Sequence, residues 1–360
     1  MGISAAIVSG KGGSGKTVIA AEMANLMSSE KHSVVLMDAD TGTGGLSYYL
    51  GLKYVRNITE GFTTYALASI GDGPRSGQRP DLLKLTQVVD DNHSGAGFRF
   101  LAIGDHRKLS REFDQPDAPA GKLASLLSEA IRGLARASDF LVVDCRGGVD
   151  NDSLAVCRAV DDIILIVEAD PTSFQASQHL VDVLTDNDLA HKLRGFIINK
   201  AIEDPAAVAR TAGRALRTQY LGTIPFDIEA ARSFITSDLP DLNSIFGIHV
   251  RDALSRAYPK LIAPPRQSRV WKASDYNSFN VLSPDSTRAG LLLSLSFLIV
   301  GLVLIIASTL GVLAGNRAAY IVSIAVMTGL GVIAASEPFR QILGRIFNSY
   351  SARRRSMRNF

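Results

Sequence analysis

Cysteine is nearly absent: Cys145 and Cys157 are the only two in 360 residues. Two thiols cannot build a disulfide framework, and neither stands at a metal-ligand spacing from a second cysteine or a histidine. Both lie in apolar stretches and read as small core residues of a reducing compartment. The six histidines, His32, His93, His106, His179, His191 and His249, are scattered and form no metal spacing. A strong excess of one charge is also missing, since the formal net charge is only +3. That figure is unevenly distributed. Residues 289–360 hold seven arginines, no lysine and one acid, a balance of +6, which leaves −3 for residues 1–288. A mildly acidic globular part lacks the clustered Lys and Arg of a sequence-independent DNA grip, so nucleic acid is not an expected partner. The opening residues 1–8 are too short to serve as an apolar export segment.

Short apolar runs alternate with helical spacing over most of the chain. Runs at 5–8, 34–37, 98–103, 140–143, 163–168 and 195–199 read as buried strands, and a further apolar run follows at 221–225. Segments 18–29, 46–50, 123–137, 173–184 and 206–220 read as helices between them. This alternation predicts an α/β fold, a doubly wound and mostly parallel sheet with helices on both faces. Residues 71–79 and 106–121 break the rhythm and read as a loop and a polar surface excursion. Residues 259–288, with Pro264-Pro265 and little periodicity, read as a linker after a domain at 1–258; Trp271, Tyr276 and Phe279 suit a membrane surface.

Two long uncharged stretches follow, 27 residues at 289–315 and 19 at 318–336. A spanning helix needs about 20 apolar residues. They are expected to be a transmembrane hairpin, and the alternative reading is a pair of buried core helices. Only Asn316-Arg317 separates them, so both chain ends would face one side. The arginine-rich tail, 337–360, marks that side as cytoplasmic. The expected location is the inner membrane, multi-pass, with the globular domain and the tail in the cytoplasm.

The segment Gly10-Lys11-Gly12-Gly13-Ser14-Gly15-Lys16-Thr17 lies between the first strand and the first helix. A glycine-rich turn in that setting lets backbone N–H groups close around phosphate oxygens. Gly12, Gly13 and Gly15 remove Cβ atoms from that approach. Lys16 supplies charge to the β- and γ-phosphates, and Thr17 supplies a hydroxyl to magnesium. Gly12, Gly13, Ser14, Gly15, Lys16, Thr17 and Val18 are therefore the expected cradle of ATP with Mg2+.

Lys11 is an addition that an ordinary phosphate loop does not require. Lys-Gly-Gly-x-x-Gly-Lys-Thr resembles the deviant P-loop (deviant Walker A) family that includes the MinD, ParA and ArsA-like ATPases. The resemblance implies that Lys11 reaches across a nucleotide-sandwich homodimer to the partner's phosphates. Val34 to Asp40 resembles the family's strand ending in Asp-x-Asp; by that resemblance Asp38 helps hold magnesium through water and Asp40 orients or activates the attacking water. Phe140 to Asp144 resembles the second metal-side strand, placing Asp144 on the magnesium water shell. A backbone N–H at Gly147-Gly148 could then face the γ-phosphate, and Gly148 joins the expected binding set. Asp170-Pro171-Thr172-Ser173 resembles a loop with structural support alone. Asn199 resembles the adenine-recognising Asn, and Pro225 and Asp227 resemble the late segment that contacts base or ribose. The resemblance spans roughly residues 1–255 and is nearest to the MinD side.

Three departures stand out. Gly44-Gly45 replaces an Arg-Asn pair, Cys145-Arg146 follows Asp144, and a spanning hairpin takes the place of a short amphipathic membrane helix. Arg146 is expected either near the γ-phosphate or on the surface. The function implied is an ATP-dependent dimeric switch, anchored in the membrane, that slowly hydrolyses Mg-ATP and recruits, positions or regulates a protein partner in a membrane assembly. Its alternatives are a non-hydrolysing ATP-binding adaptor and a regulator of polysaccharide export resembling the tyrosine autokinases. Against the last, Gly42 stands where those kinases carry arginine, and no tyrosine-rich tail is present.

Overall fold

The computed structural model describes residues 2–70, 80–91, 96–113, 121–202 and 206–265. Two units divide the chain, Met1–Ser278 and Phe279–Phe360. The expected hairpin at 289–315 and 318–336, the basic tail, the loop at 71–79 and most of the linker lie outside the described residues. Among the described residues, no helix is long and apolar enough to cross a membrane.

In chain order the elements are β1 (Ile3–Val8), α1 (Lys16–Ser29), β2 (Val34–Asp38), α2 (Gly45–Gly51), α3 (Phe62–Ala68), α4 (Leu82–Leu85), β3 (Gln87–Asp91), β4 (Ala96–Leu101), α5 (His106–Phe113), α6 (Lys122–Arg136), β5 (Phe140–Asp144), α7 (Asn151–Ala159), β6 (Asp162–Glu168), α8 (Pro171–Asp186), β7 (Leu193–Ala201), α9 (Ala206–Leu216), β8 (Tyr220–Pro225), α10 (Ile228–Thr236) and α11 (Ile245–Ala257). The strands form one sheet in the order β3-β4-β2-β5-β1-β6-β7-β8. Every pairing is parallel except β3 with β4. The expected doubly wound α/β sheet is therefore present.

Alternation along each strand separates two cores. Ala5 and Ile7 of β1 join a cluster with α1, α2 and α11. Ala6 and Val8 face the opposite cluster, built on α3, α6, α7, α8 and α9. Burial on both faces explains why the central strands read as unbroken apolar runs. The core continues past residue 258, because Tyr258 and Ile262 are buried against it.

The sequence reading needs correction at three places. The stretch at 106–121 is not wholly an irregular excursion: residues 106–113 form α5, anchored by buried Leu109. The helix expected at 206–220 ends at Leu216, Arg217 takes φ 50°, and Tyr220 opens β8. Strand β3 escaped notice because it is an edge strand with one wet face: Val89 is fully buried while Val88 is 52% exposed.

Parallel strands bring their C-terminal ends to one edge. The loops after β1, β2, β5, β6, β7 and β8 thus meet there, on both sides of β1, where the winding direction switches.

Candidate functional site

The glycine loop leaves β1 and enters α1 through Gly15, which caps the helix at φ 88°. That left-handed geometry disfavours a side chain, and a Cβ there would also fall 2.3 Å from the Asn199 Nδ2. Lys16 is buried, and its Nζ donates to the Ser9 Oγ at 2.9 Å. Ser9 in turn donates to the Lys11 carbonyl at 2.6 Å. Ser9 was not singled out in the sequence; its place immediately before the glycines was the available signal. The Ser14 hydroxyl is buried and has no hydrogen-bond partner among the described residues.

Beside the loop, Asp38 and Asp144 pair in register at the ends of adjacent strands. Both are buried. The Thr17 hydroxyl donates to one Asp144 oxygen at 2.8 Å, and the other oxygen is buried without a partner among the described residues. Burial, reinforced by the charge of Asp38, pushes the Asp144 carboxyl up to about 7. Burial likewise raises Asp38 to about 6, although Ser47 donates to it through both N–H and hydroxyl, at 2.8 and 2.7 Å. Two buried carboxylates that resist ionisation side by side form a site short of positive charge. Thr17, Asp144 and Asp38 fit a magnesium ion, which binds through one or two carboxylates, keeps several waters and relies on substrate phosphate for the rest.

Asp40 is folded into its own turn. It accepts from the Gly42 and Thr43 N–H groups at 3.1 and 3.0 Å and from the Thr43 hydroxyl at 2.5 Å. Gly44 sits at φ 61° as the cap of α2, and a Cβ would fall 2.8 Å from Ile103. Gly45 has no such neighbour. Gly148 requires a correction. Its N–H donates to the Ser9 carbonyl at 3.0 Å and therefore does not face a γ-phosphate.

Lys11 lies outside this cradle. Its ammonium bridges Glu168 and Asp170 at 2.9 and 2.8 Å, and the side chain is 32% exposed. The hydrogen bond to Asp170 is the main cause that raises its pKa. Against the cost of partial burial, Lys11 and Thr172 hold the Asp170 carboxyl down to about 2. Glu168 also pairs with Lys200 at 2.7 Å, and Lys200 donates to the Gly13 carbonyl. A register irregularity at the end of β7 and φ 56° at Lys200 aim it there. Asn199 donates its amide to the Ser14 carbonyl at 2.8 Å. Glu168 and Lys200 thus support the loop from outside, two roles that sequence reading did not assign.

A cavity of about 500 Å³ opens next to the loop, lined by Gly15, Thr17, Val18, Asn199, Pro225 and Phe234 among others. Its walls are mainly apolar, which suits a nucleotide base. Asp227 borders it, but one of its oxygens caps α10 and the other accepts from the Phe246 N–H at 3.2 Å. Of the residues expected to bind nucleotide or metal, the fold brings Gly12 to Val18, Asp38, Asp40, Asp144, Asn199, Pro225 and Asp227 to one edge.

Residues 5–240 match the CobQ/CobB/MinD/ParA nucleotide binding domain family. A chloroplastic septum site-determining minD homolog of Arabidopsis thaliana is 26% identical over 235 residues, 63% of this chain and 65% of that protein. The match thus spans just under two thirds of that relative's length. The cell division ATPase MinD of Pyrococcus furiosus superposes with a TM-score of 0.55 at 20% identity, over 72% of this chain and all of that one. MinD of Pyrococcus horikoshii, solved with Mg-ADP, gives 0.54 at 19% identity, over 72% and 96%. These likenesses extend to the fold.

Proposed function

This chain belongs to the CobQ/CobB/MinD/ParA nucleotide binding domain family, and from that premise we propose an ATP-dependent dimeric switch anchored in a membrane. Mg-ATP occupies the loop at Gly12–Val18, with Thr17, Asp38 and Asp144 around the metal and the base in the cavity beneath Phe234. Two copies close across their loops, and slow hydrolysis reopens them. The domain at 1–258 is carried, through the linker 259–288, by the hairpin 289–315 and 318–336. Both ends of the chain, with the tail 337–360, face the cytoplasm, and the switch acts on a protein partner in a membrane assembly.

The observation that carries this reading is the division of labour between two lysines of one loop. Lys16 is turned inward to Ser9, while Lys11 is held outside its own cradle by Glu168 and Asp170. Lys11 held outside its own cradle supports a role toward the phosphates of a second subunit. Light scattering on the full chain in detergent tests it. Mg-ATP should double the protein mass, Mg-ADP should not, and Lys11→Ala should remain single under both. A wild-type mass that ignores ATP while ATP is bound would overturn the switch.

One observation favours the non-hydrolysing adaptor as a second reading: both Asp40 oxygens accept hydrogen bonds within their own turn. Phosphate release by wild type against Asp40→Ala separates the two. Equal, background rates would select the adaptor.

A further inference from the structure

The switch as described leaves Arg146 without a task, although its surroundings are closely specified. The backbone on either side of it is fixed. Cys145 is buried and donates to the Ile7 carbonyl at 3.3 Å, so the sheet still holds the chain one residue beyond Asp144. Gly147 lies flat on the first turn of the glycine loop, where an added Cβ would fall 2.7 Å from the Gly12 nitrogen. The Gly148 N–H is bonded to Ser9. Arg146 therefore springs from a rigid bridge between the metal-side carboxylate and the mouth of the phosphate loop.

Its side chain lies across the Asp40 turn. A Cβ on Gly42 would meet Nη1 at 2.9 Å, Cζ at 3.0 Å and Nε at 3.3 Å. The guanidinium thus covers the backbone of a turn whose N–H groups bind Asp40. Its contact with a carboxylate is long, 3.9 Å to Asp150, whose other oxygen caps α7. Among the described residues no hydrogen bond engages its five donors, and the side chain is 52% exposed. An arginine on a fixed base, its planar fork of donors facing solvent, is equipped for phosphate oxygens. Its base is tied through Gly147 to Gly12 and follows Asp144 by two residues, so it stands on the Thr17, Asp38 and Asp144 side of the loop, the side read above as that of magnesium between the outer phosphates.

We propose that Arg146 contacts the γ-phosphate of ATP bound in its own subunit, and that residue 42 is glycine because the guanidinium passes over it. This rests on the Mg-ATP reading above. Arg146 then distinguishes ATP from ADP, a task distinct from that of Lys16 and from the one proposed for Lys11.

The test is the ratio of affinities for Mg-AMPPNP and Mg-ADP, measured by calorimetry on the full chain in detergent. Arg146→Ala should weaken AMPPNP roughly ten- to a hundred-fold, the range of a charge-assisted hydrogen bond, and leave ADP within about two-fold. Arg146→Lys should recover part of the loss. Gly42→Ala should reproduce the selective loss with Arg146 still present, since its methyl displaces the guanidinium; Gly42 lies outside the left-handed region, so its backbone accepts alanine. An unchanged ratio in Arg146→Ala, or equal losses for both nucleotides, would overturn the proposal. Wild-type protein that binds neither nucleotide would instead overturn the Mg-ATP reading.

Discussion

Replacing Asp144 with asparagine should stabilise the ligand-free protein above neutral pH and remove most of its response to magnesium nucleotide. The carboxyl is raised from an ordinary 3.8 to about 7, first by burial and then by Asp38. A group whose folded pKa exceeds its unfolded one favours folding fully below the unfolded value and loses that contribution as pH rises through the folded one. The window here runs from about pH 4 to about pH 7. A shift of roughly 3 units at about 1.4 kcal/mol per unit means that holding the charge at about pH 8 costs on the order of 4 kcal/mol. Asparagine keeps an oxygen for Thr17, but it places an amide where one carboxylate oxygen now lacks a partner. An unsatisfied amide returns about 1–3 kcal/mol, so the net gain is roughly 2 kcal/mol, or several degrees in Tm. Thermal melts of the full chain at about pH 5 and about pH 8, with and without Mg-ADP, read this directly. Wild type should melt lower at the higher pH and gain more there from Mg-ADP; Asp144→Asn should be flatter in both respects. A variant that melts below wild type equally at both pH values would refute the reasoning. So would a wild-type magnesium effect that is independent of pH.

Three further outcomes follow from the geometry. Gly10→Ala would set a Cβ 2.2 Å from the backbone of Ala176 in α8, and the forced shift should destabilise the fold by about 3 kcal/mol in urea denaturation. Asn199→Ala removes the donor that holds the Ser14 carbonyl; ATP and ADP affinities should fall together, roughly ten-fold, the cost of an unpaired buried group, and a loss confined to ATP would contradict it. Phe234→Ala opens the wall of the base cavity, so calorimetry should show weaker adenosine nucleotides and unchanged binding of inorganic tripolyphosphate.

Much of this chain is legible without coordinates. The central strands announce themselves because burial on both faces requires unbroken apolar runs, and the glycine loop does so because its glycines cluster between an apolar run and a helical one. Asp38 and Asp144 are legible as strand-end carboxylates. Their mutual effect was not, because a register that pairs Asp38 with Asp144 across two strands is a product of strand order. The same limit hid the supports of the loop. Glu168 and Lys200 come from β6 and β7, over 150 residues from Lys11 and Gly13, and meet them because parallel strands deliver their ends to one edge. Gly148 misled for the complementary reason: a glycine after a strand suggests a free N–H, and tertiary packing gave that N–H to Ser9. Local patterns, then, determined the α/β alternation, the glycine loop and its nearest carboxylates. Which groups stand next to each other at that edge, and which donors and acceptors are left unsatisfied there, was decided by contacts between residues far apart in sequence, which no local pattern records.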